Sequence, residues 1–298
     1  MPEIILAPVP GRVPYRRGLE VQRALGRARI DGRISEDLVL LVEHDPVVTL
    51  GRTTGGGHLT AGREGLAERG IDVVEIERGG DVTYHGPGQA VGYPILDLRG
   101  WRKDLHWYLR AVEEALIRAL GELGLPAFRV AGHTGVWVGE EEALEPAAEA
   151  AILSGRVRKI ASIGVHVSRW VTWHGFALNL TEEPMEAFRL IVPCGIEGVR
   201  MTSLEAEGAP AGERRLREAL AVGFGAAFGA RIREEERTLG ALEAAAGYEE
   251  RTDGVAGASP GPSSTGVEEG RGKKPAGPGG GSARPRSGPT RSAAGGAA

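Results

Sequence analysis

Twelve consecutive residues, Arg78-Gly79-Gly80-Asp81-Val82-Thr83-Tyr84-His85-Gly86-Pro87-Gly88-Gln89, hold the densest set of side chains able to do chemistry in this chain. Paired glycines let backbone approach a ligand closely, and Gly86-Pro87-Gly88 fixes a tight turn. Arg, Thr, Tyr and His interleaved with four glycines exceed what a mere connection requires. If the segment is extended, Thr83 and His85 point to one face and Val82 and Tyr84 to the other. The glycine spacing is not that of a dinucleotide fingerprint, no helix pattern follows, and the Gly-Lys-Ser/Thr of a P-loop is missing, so no nucleotide site is read here.

The second centre is Cys194, the only cysteine, in Ile191-Val192-Pro193-Cys194-Gly195-Ile196. A lone cysteine is more often a small buried hydrophobe than a nucleophile. Here Pro193 and Gly195 set it at a turn after an apolar run, where a thiol is presented rather than packed. Attack requires the thiolate, hence a neighbouring activator. Lys159, His85, His166 and His174 are available. Lys159 lies in Arg158-Lys159-Ile160-Ala161-Ser162-Ile163-Gly164-Val165-His166-Val167, whose alternation predicts a strand with Lys159 on the same face as Ala161, Ile163 and Val165. A lysine among apolar residues either reaches outward from a strand end or sits in the site as a cation, and pattern alone does not choose. His174 precedes Gly175-Phe176-Ala177-Leu178-Asn179, whose small-large-small order suits the lining of an apolar slot. With one cysteine, no His-x-x-x-His and no calcium-type acidic loop, neither a metal nor a cofactor is expected.

These residues need a scaffold, and the pattern alternates helix and strand, as in an α/β or α+β domain. Val21, Ala24, Leu25 and Ala28 form a helical stripe; residues 38–42, 47–50 and 71–76 read as short buried strands. A longer helix is predicted over 104–123, with Asp104 as N-cap and Gly124 then Pro126 as its stop. Strands follow at 130–138, 159–167 and 171–180 in a meander. Residues 140–156, rich in Glu and Ala, read as an inserted loop or short helix. Pro184 opens a short helix through Phe188, and 214–228 is the last ordered helix expected.

Over 298 residues the formal charge is -4, so no global positive field points to nucleic acid. Gly, Pro and Ser make up 25 of the 48 residues in 251–298, which reads as a disordered tail. That tail carries seven basic against three acidic residues; the first 250 residues hold 29 basic and 37 acidic ones and form the expected catalytic domain. No apolar run approaches the roughly 20 residues of a membrane-spanning helix, and no signal-like start is seen, so a cytosolic chain free of membrane is expected.

Taken together the segments resemble the octanoyltransferase family (lipoyl/octanoyl-protein ligase B). The resemblance rests on Val13-Pro14-Tyr15, Glu43-His44-Asp45-Pro46-Val47, Leu50-Gly51-Arg52, the run 78–89 continued by Val91-Gly92-Tyr93-Pro94-Ile95-Leu96-Asp97-Leu98, Lys159 with Ser162-Ile163-Gly164, His174 to Asn179, Pro193-Cys194-Gly195-Ile196 and Thr202-Ser203-Leu204. It implies a mixed β-sheet flanked by helices, like the catalytic domain of biotin and lipoate protein ligases. It also implies transfer of octanoyl from octanoyl-acyl carrier protein to a lysine of lipoyl domains, those of 2-oxoacid dehydrogenases and of the glycine cleavage H protein. Carried over by position, Cys194 is the nucleophile that holds the acyl thioester and Lys159 the residue that keeps it a thiolate. Arg78, Gly79, Gly80, Asp81, Val82, Thr83, Tyr84, His85, Ser162, Ile163, Gly164, Gly175, Phe176 and Ala177 form the substrate pocket. The 140–156 insertion and the tail depart from the family pattern.

A thioester donor already carries the activation, so the reaction needs no ATP. Backbone N–H groups of Gly79, Gly80 and Gly164 are candidate oxyanion donors, and Phe176, Ala177, Ile163 and Val165 candidate walls for the acyl chain. Two rivals stand beside this reading: an ATP-dependent lipoate or biotin ligase on the same fold, and a catalytically idle protein that docks lipoyl domains or, through its tail, nucleic acid.

Overall fold

The computed structural model describes residues 1–54, 58–144, 147–196 and 198–248, all within one unit spanning Met1–Arg251. The predicted tail, 251–298, lies outside the described residues. In chain order the elements are β1 (Glu3–Val13), α1 (Tyr15–Ile30), β2 (Asp37–His44), β3 (Val47–Leu50), α2 (Gly62–Ala67), β4 (Asp72–Glu75), β5 (Val82–His85) and β6 (Gln89–Ile95). Then come α3 (Leu105–Glu122), β7 (Phe128–Val130), β8 (His133–Gly139), α4 (Ala148–Ser154), β9 (Val157–Ser168) and β10 (Val171–Asn179). The last are α5 (Glu183–Phe188), α6 (Glu213–Phe228), β11 (Arg231–Glu234) and α7 (Leu239–Ala246).

An eight-stranded sheet runs β11-β1-β2-β6-β10-β9-β8-β7, and a three-stranded sheet runs β4-β3-β5. Both are mixed: β1 pairs parallel with β11 and β2, β3 parallel with β4, while β6, β10, β9 and β8 pair antiparallel. Strand alternation splits the large sheet between two cores. Ile4, Leu6, Val39 and Leu41 face α3 and α6, meeting Val112, Leu116, Leu220 and Phe224. Ile5, Ala7, Leu38 and Leu40 face the opposite layer, with Val21 and Leu25 of α1 and Leu242 of α7. The small sheet closes a third core in which Val48, Leu50, Val82 and Tyr84 meet Leu66, Ala187 and Phe188.

Helix α3 follows its sequence signals: Asp104, in an extended conformation, accepts the Trp107 N–H at 3.0 Å, and Gly124 takes φ +86 just beyond the end. Two expectations need correction, and one strand was not anticipated. The segment 130–138 is two antiparallel strands rather than one, because Gly132 at φ +81 turns the chain between β7 and β8. Helix α6 is not the last element, since β11 extends the sheet beside β1 and Thr238 caps α7 by accepting the Ala241 N–H at 3.2 Å. Strand β1 goes unread in the sequence, where Pro8 and Pro10 interrupt its apolar run. No described helix is long and apolar enough to cross a membrane.

Candidate active site

Cys194 sits in a single 3-10 turn, Pro193–Gly195, where proline suits the first position. Its backbone is left-handed, φ 58 and ψ 17, a conformation that costs a residue with a Cβ roughly 1–2 kcal/mol. The turn is closed by its own bond, Gly195 N–H to the Val192 carbonyl at 3.1 Å, and held from outside by the Val192 N–H, which donates to the His58 carbonyl at 2.9 Å. Gly195 must be glycine, because at φ +67 a Cβ there would stand 2.5 Å from Asp81 Oδ2. Asp81 in turn accepts the Val82 N–H at 2.7 Å, and its Oδ2 lies 2.6 Å from His58 Nδ1.

Lys159 is 1% exposed, and its Nζ donates to Cys194 Sγ at 3.2 Å and to the Thr134 carbonyl at 2.8 Å. The ammonium also lies 5.1 Å from the centre of the Trp137 ring, a distance at which a cation is attracted to the π face. Regular alternation does not put it there. Val136 pairs with Ala161 but Trp137 with Lys159, so β9 carries one extra residue, a β-bulge at Ile160. Ile160 and Ala161 both face the α3 core, while Lys159 and Ser162 both face the cavity. The expected sharing of a face by Lys159, Ala161 and Val165 is therefore overturned by the bulge.

The Thr134 carbonyl is set by its neighbour. Gly135 adopts φ +130, and a Cβ there would fall 2.6 Å from both the Lys159 Cε and the Ala161 carbonyl oxygen. Its N–H donates to Glu113 Oε1 at 3.1 Å; Glu113, fully buried on α3, accepts through Oε2 from Arg110 at 2.6 Å and Arg129 at 3.1 Å. A chain of contacts thus runs from α3 through Glu113, Gly135 and Thr134 to the Lys159 amine and the thiol.

Beside the pair opens a cavity of about 340 Å³, of the size that takes small ligands. Thr83 and His85 line it from one face of β5 and Asp81 from the loop just before, with Arg78, Gly80, Val82, Ser162, Ile163, Gly164, Gly175, Phe176 and Ala177. Glycines make room: a Cβ on Gly92 would strike the Phe176 ring at 2.1 Å, and one on Gly164 the Gly79 carbonyl at 2.7 Å. Buried Arg78 is fastened by Nη2 to the Thr49 carbonyl and hydroxyl, both at 2.9 Å. Arg78 Nε, Thr83 Oγ1, His85 Nδ1 and Ser162 Oγ have no protein hydrogen-bond partner, so the lining offers polar atoms as well as an apolar wall.

Tyr15, His85 and Tyr93 line the cavity too, and His44 lies behind them. Tyr15 and His85 stack at 5.8 Å, and His44 takes a contact of 2.6 Å from the Tyr93 hydroxyl and one of 2.7 Å to the Val13 carbonyl. A carbonyl only accepts, so Nδ1 carries the hydrogen and Nε2 accepts from the phenol. Burial pushes His44 down to about 4 and His85 well below the usual histidine value, and it pushes the Tyr93 phenol up. His174, also lowered by burial, takes Gln22 Oε1 on its backbone N–H at 3.1 Å and stands 3.7 Å from Glu77.

The structure thus brings Cys194, Lys159 and most of the singled-out pocket residues around one cavity. Tyr84 is elsewhere, packed edge-on against Phe188 in the small-sheet core. Gly79 is outside the lining, and its N–H is already given to the Val165 carbonyl at 2.9 Å, which removes it as an oxyanion donor. Val165 belongs to the α3 core and forms no wall. Sequence reasoning missed Thr134, Glu113, His58 and Tyr15. The glycines at 132 and 135 were the one available signal for the Thr134 turn.

A family model described as the lipoyl protein ligase A/B catalytic domain matches residues 14–225. An octanoyltransferase of Acidobacterium capsulatum is 50% identical over 204 residues, 66% of this chain and 78% of that relative. One of Solibacter usitatus is 49% identical over 186 residues, 62% of this chain and 76% of the relative. Among solved structures, lipoate-protein ligase A bound with ATP superposes with a TM-score of 0.58 at 19% identity, covering 83% of this chain and 93% of that one. A bi-partite lipoate protein ligase from Thermoplasma acidophilum gives 0.57 at 18% identity, covering 82% and 90%. At such identities the structural likeness carries the fold alone.

Proposed function

Because this chain belongs to the lipoyl protein ligase A/B catalytic-domain family and, within it, to the octanoyltransferases, we propose that it carries the octanoyl group as a thioester on Cys194 with Lys159 as its proton partner. The enzyme is an acyltransferase that takes octanoyl from acyl carrier protein to a lipoyl-domain lysine. The observation that carries the mechanism is the 3.2 Å contact between Lys159 Nζ and Cys194 Sγ. An ammonium donating to sulfur favours the thiolate, the form that attacks a thioester carbonyl. The second anchor on the Thr134 carbonyl, 2.8 Å away, orients the amine, so little ordering remains to be done when the donor arrives.

The cavity beside Sγ receives the acyl chain. Val91, Ile163, Phe176 and Ala177 supply apolar lining, and each buried methylene is worth about 0.8 kcal/mol. Asp81, Arg78 and Thr83 line the same cavity, so most pocket residues assigned by resemblance act as its sides, and Tyr84 and Gly79 do not. We place catalysis in residues 1–250 and no catalytic part in 251–298. The acceptors are the lipoyl domains of 2-oxoacid dehydrogenases and the glycine cleavage H protein, and a free thiol nucleophile suits the reducing cytosol. No ATP enters the scheme, because exchange between thioesters is nearly isoenergetic and the final amide lies downhill.

The test is to mix the protein with octanoyl-acyl carrier protein without ATP and measure the intact mass. One octanoyl group on wild type and none on Cys194→Ser is expected. A Cys194→Ser variant that still modifies a lipoyl domain at the normal rate sinks the covalent route, and dependence on ATP favours a ligase.

A further inference from the structure

Counting protons through both half-reactions leaves one without a carrier. In the first, the Cys194 thiolate forms a bond to the donor's carbonyl carbon and the carbon–sulfur bond to the carrier breaks. The departing thiolate takes the Lys159 proton and leaves as a thiol, so Lys159 is now a neutral amine. In the second, the acceptor lysine arrives as an ammonium, since its pKa is about 10.4. It sheds one proton to expose its lone pair and another as the amide forms and the bond to Cys194 breaks. Lys159 takes one of these and is an ammonium again. The net reaction, thioester plus ammonium giving amide, thiol and one proton, therefore sends one proton to solvent, and a second base near neutral pH would speed that step.

We infer that His58, oriented by Asp81, is that base; this rests on the thioester reading above. His58 adjoins the nucleophile's turn in two ways: its carbonyl accepts the Val192 N–H at 2.9 Å, and its Cε1 lies 3.3 Å from where a Cβ on Gly195 would stand. Its Nδ1 lies 2.6 Å from Asp81 Oδ2, an ion-pair contact without hydrogen-bond alignment; as the base, His58 turns its Nδ1–H onto that carboxylate, which leaves the Nε2 lone pair to accept. The second proton must also reach solvent, and here exposure decides. The His58 side chain is 31% exposed, whereas Lys159 is 1% exposed. The charged group in contact with His58 is Asp81, from the loop before β5; Cys194, with Lys159 on its sulfur, belongs to the turn that the His58 carbonyl holds. His133 lines the cavity, which His58 adjoins only through the Gly195 turn, but the His133 ring stands edge-on to Trp137 and no carboxylate orients it among the described contacts. His58 is then a catalytic residue and Asp81 a positioning residue.

The half-reactions separate the roles. Acyl-enzyme formation on octanoyl-acyl carrier protein is timed by intact mass, and the isolated acyl-enzyme is then chased with a lipoyl domain between pH 6.5 and 9.5. His58→Gln is expected to acylate within twofold of wild type yet transfer about a hundredfold more slowly at pH 7, the usual reach of a general base. The deficit closes by roughly tenfold per pH unit as the acceptor lysine loses its own proton, and imidazole restores transfer to His58→Ala. Asp81→Asn gives a smaller deficit with the same pH trend. Acylation and transfer falling together at every pH, or transfer unchanged in His58→Gln, overturns the assignment. Wild type that never gains an octanoyl group on Cys194 instead sinks the thioester reading, and the His58 role with it.

Discussion

Replacing Glu113 by Gln tests whether the helix behind the site holds the lysine in place. Glu113 has no exposure and accepts three hydrogen bonds: Arg110 and Arg129 on Oε2, and the Gly135 N–H on Oε1. An amide cannot satisfy both sides. With its oxygen toward Gly135 its NH2 faces two guanidinium groups; turned round, it faces the Gly135 N–H. A hydrogen bond to a charged group is worth about 1.5–3 kcal/mol, but Arg110 and Arg129 are 51% and 33% exposed and regain water, so the loss falls near the lower end, about 2 kcal/mol. For a domain of this size that is about 4–8 °C in Tm by calorimetry. The functional effect is separable. Freed from Glu113, the turn that presents the Thr134 carbonyl shifts, and acylation of Cys194 by octanoyl-acyl carrier protein should slow at least about tenfold, since small misplacements of reacting groups are costly. Arg110→Met, which leaves the Gly135 bond intact, should lose less than about 1 kcal/mol and keep its acylation rate. If Glu113→Gln melts early but acylates normally, the contact chain from α3 is structural glue and does not position Lys159.

Three further outcomes follow from the same geometry. Lys159→Met should slow alkylation of Cys194 by iodoacetamide at pH 7 by about tenfold or more, because the cation that favours the thiolate is gone; an unchanged rate removes Lys159 as activator. Cys194→Gly should be more stable to urea than Cys194→Ala by about 1 kcal/mol, since both lack the thiol and only glycine is at ease at φ 58; equal midpoints would show that the turn relaxes. His44 is buried neutral and lowered to about 4, so between about pH 6.5 and 4 the unfolded chain binds a proton that the folded one does not, and stability falls as the pH falls through that window. By pH 5 the loss from His44 is about 2 kcal/mol, and His44→Gln should flatten that part of a urea-midpoint profile.

How much of this was legible depended on where the information resides. The residues at 78–89 announced themselves through side-chain type and glycine density, and α3 through its stripe and the Asp104 cap. Strand β1 stayed hidden because it is buried on both faces over much of its length, which removes alternation, and because its prolines mimic a loop. The charged run before Thr238 left β11 without an apolar alternation to read, and the short α7 beyond it went unread as well. In the site, Lys159 and Cys194 were readable as types, but their meeting was supplied by resemblance. The partners of Lys159 were not readable, since Thr134 contributes only a backbone carbonyl. Glu113 is indistinguishable from the surface glutamates of its helix until the fold buries it. His58, a single histidine after a run of glycines, gains meaning only when Asp81 comes beside it.

The extra residue at Ile160 also sets a rule for anyone transplanting this chemistry. Lys159 and Ser162 stand three positions apart yet line one cavity, an odd separation that a regular strand cannot place on one side of a sheet. Copied letter for letter into an unbulged hairpin, the same spacing would send either the amine or the hydroxyl through to the far side. A grafted site needs those two groups an even number of positions apart, or must import the irregularity along with them. Searches for the same arrangement in unrelated scaffolds should likewise match geometry and leave the spacing free.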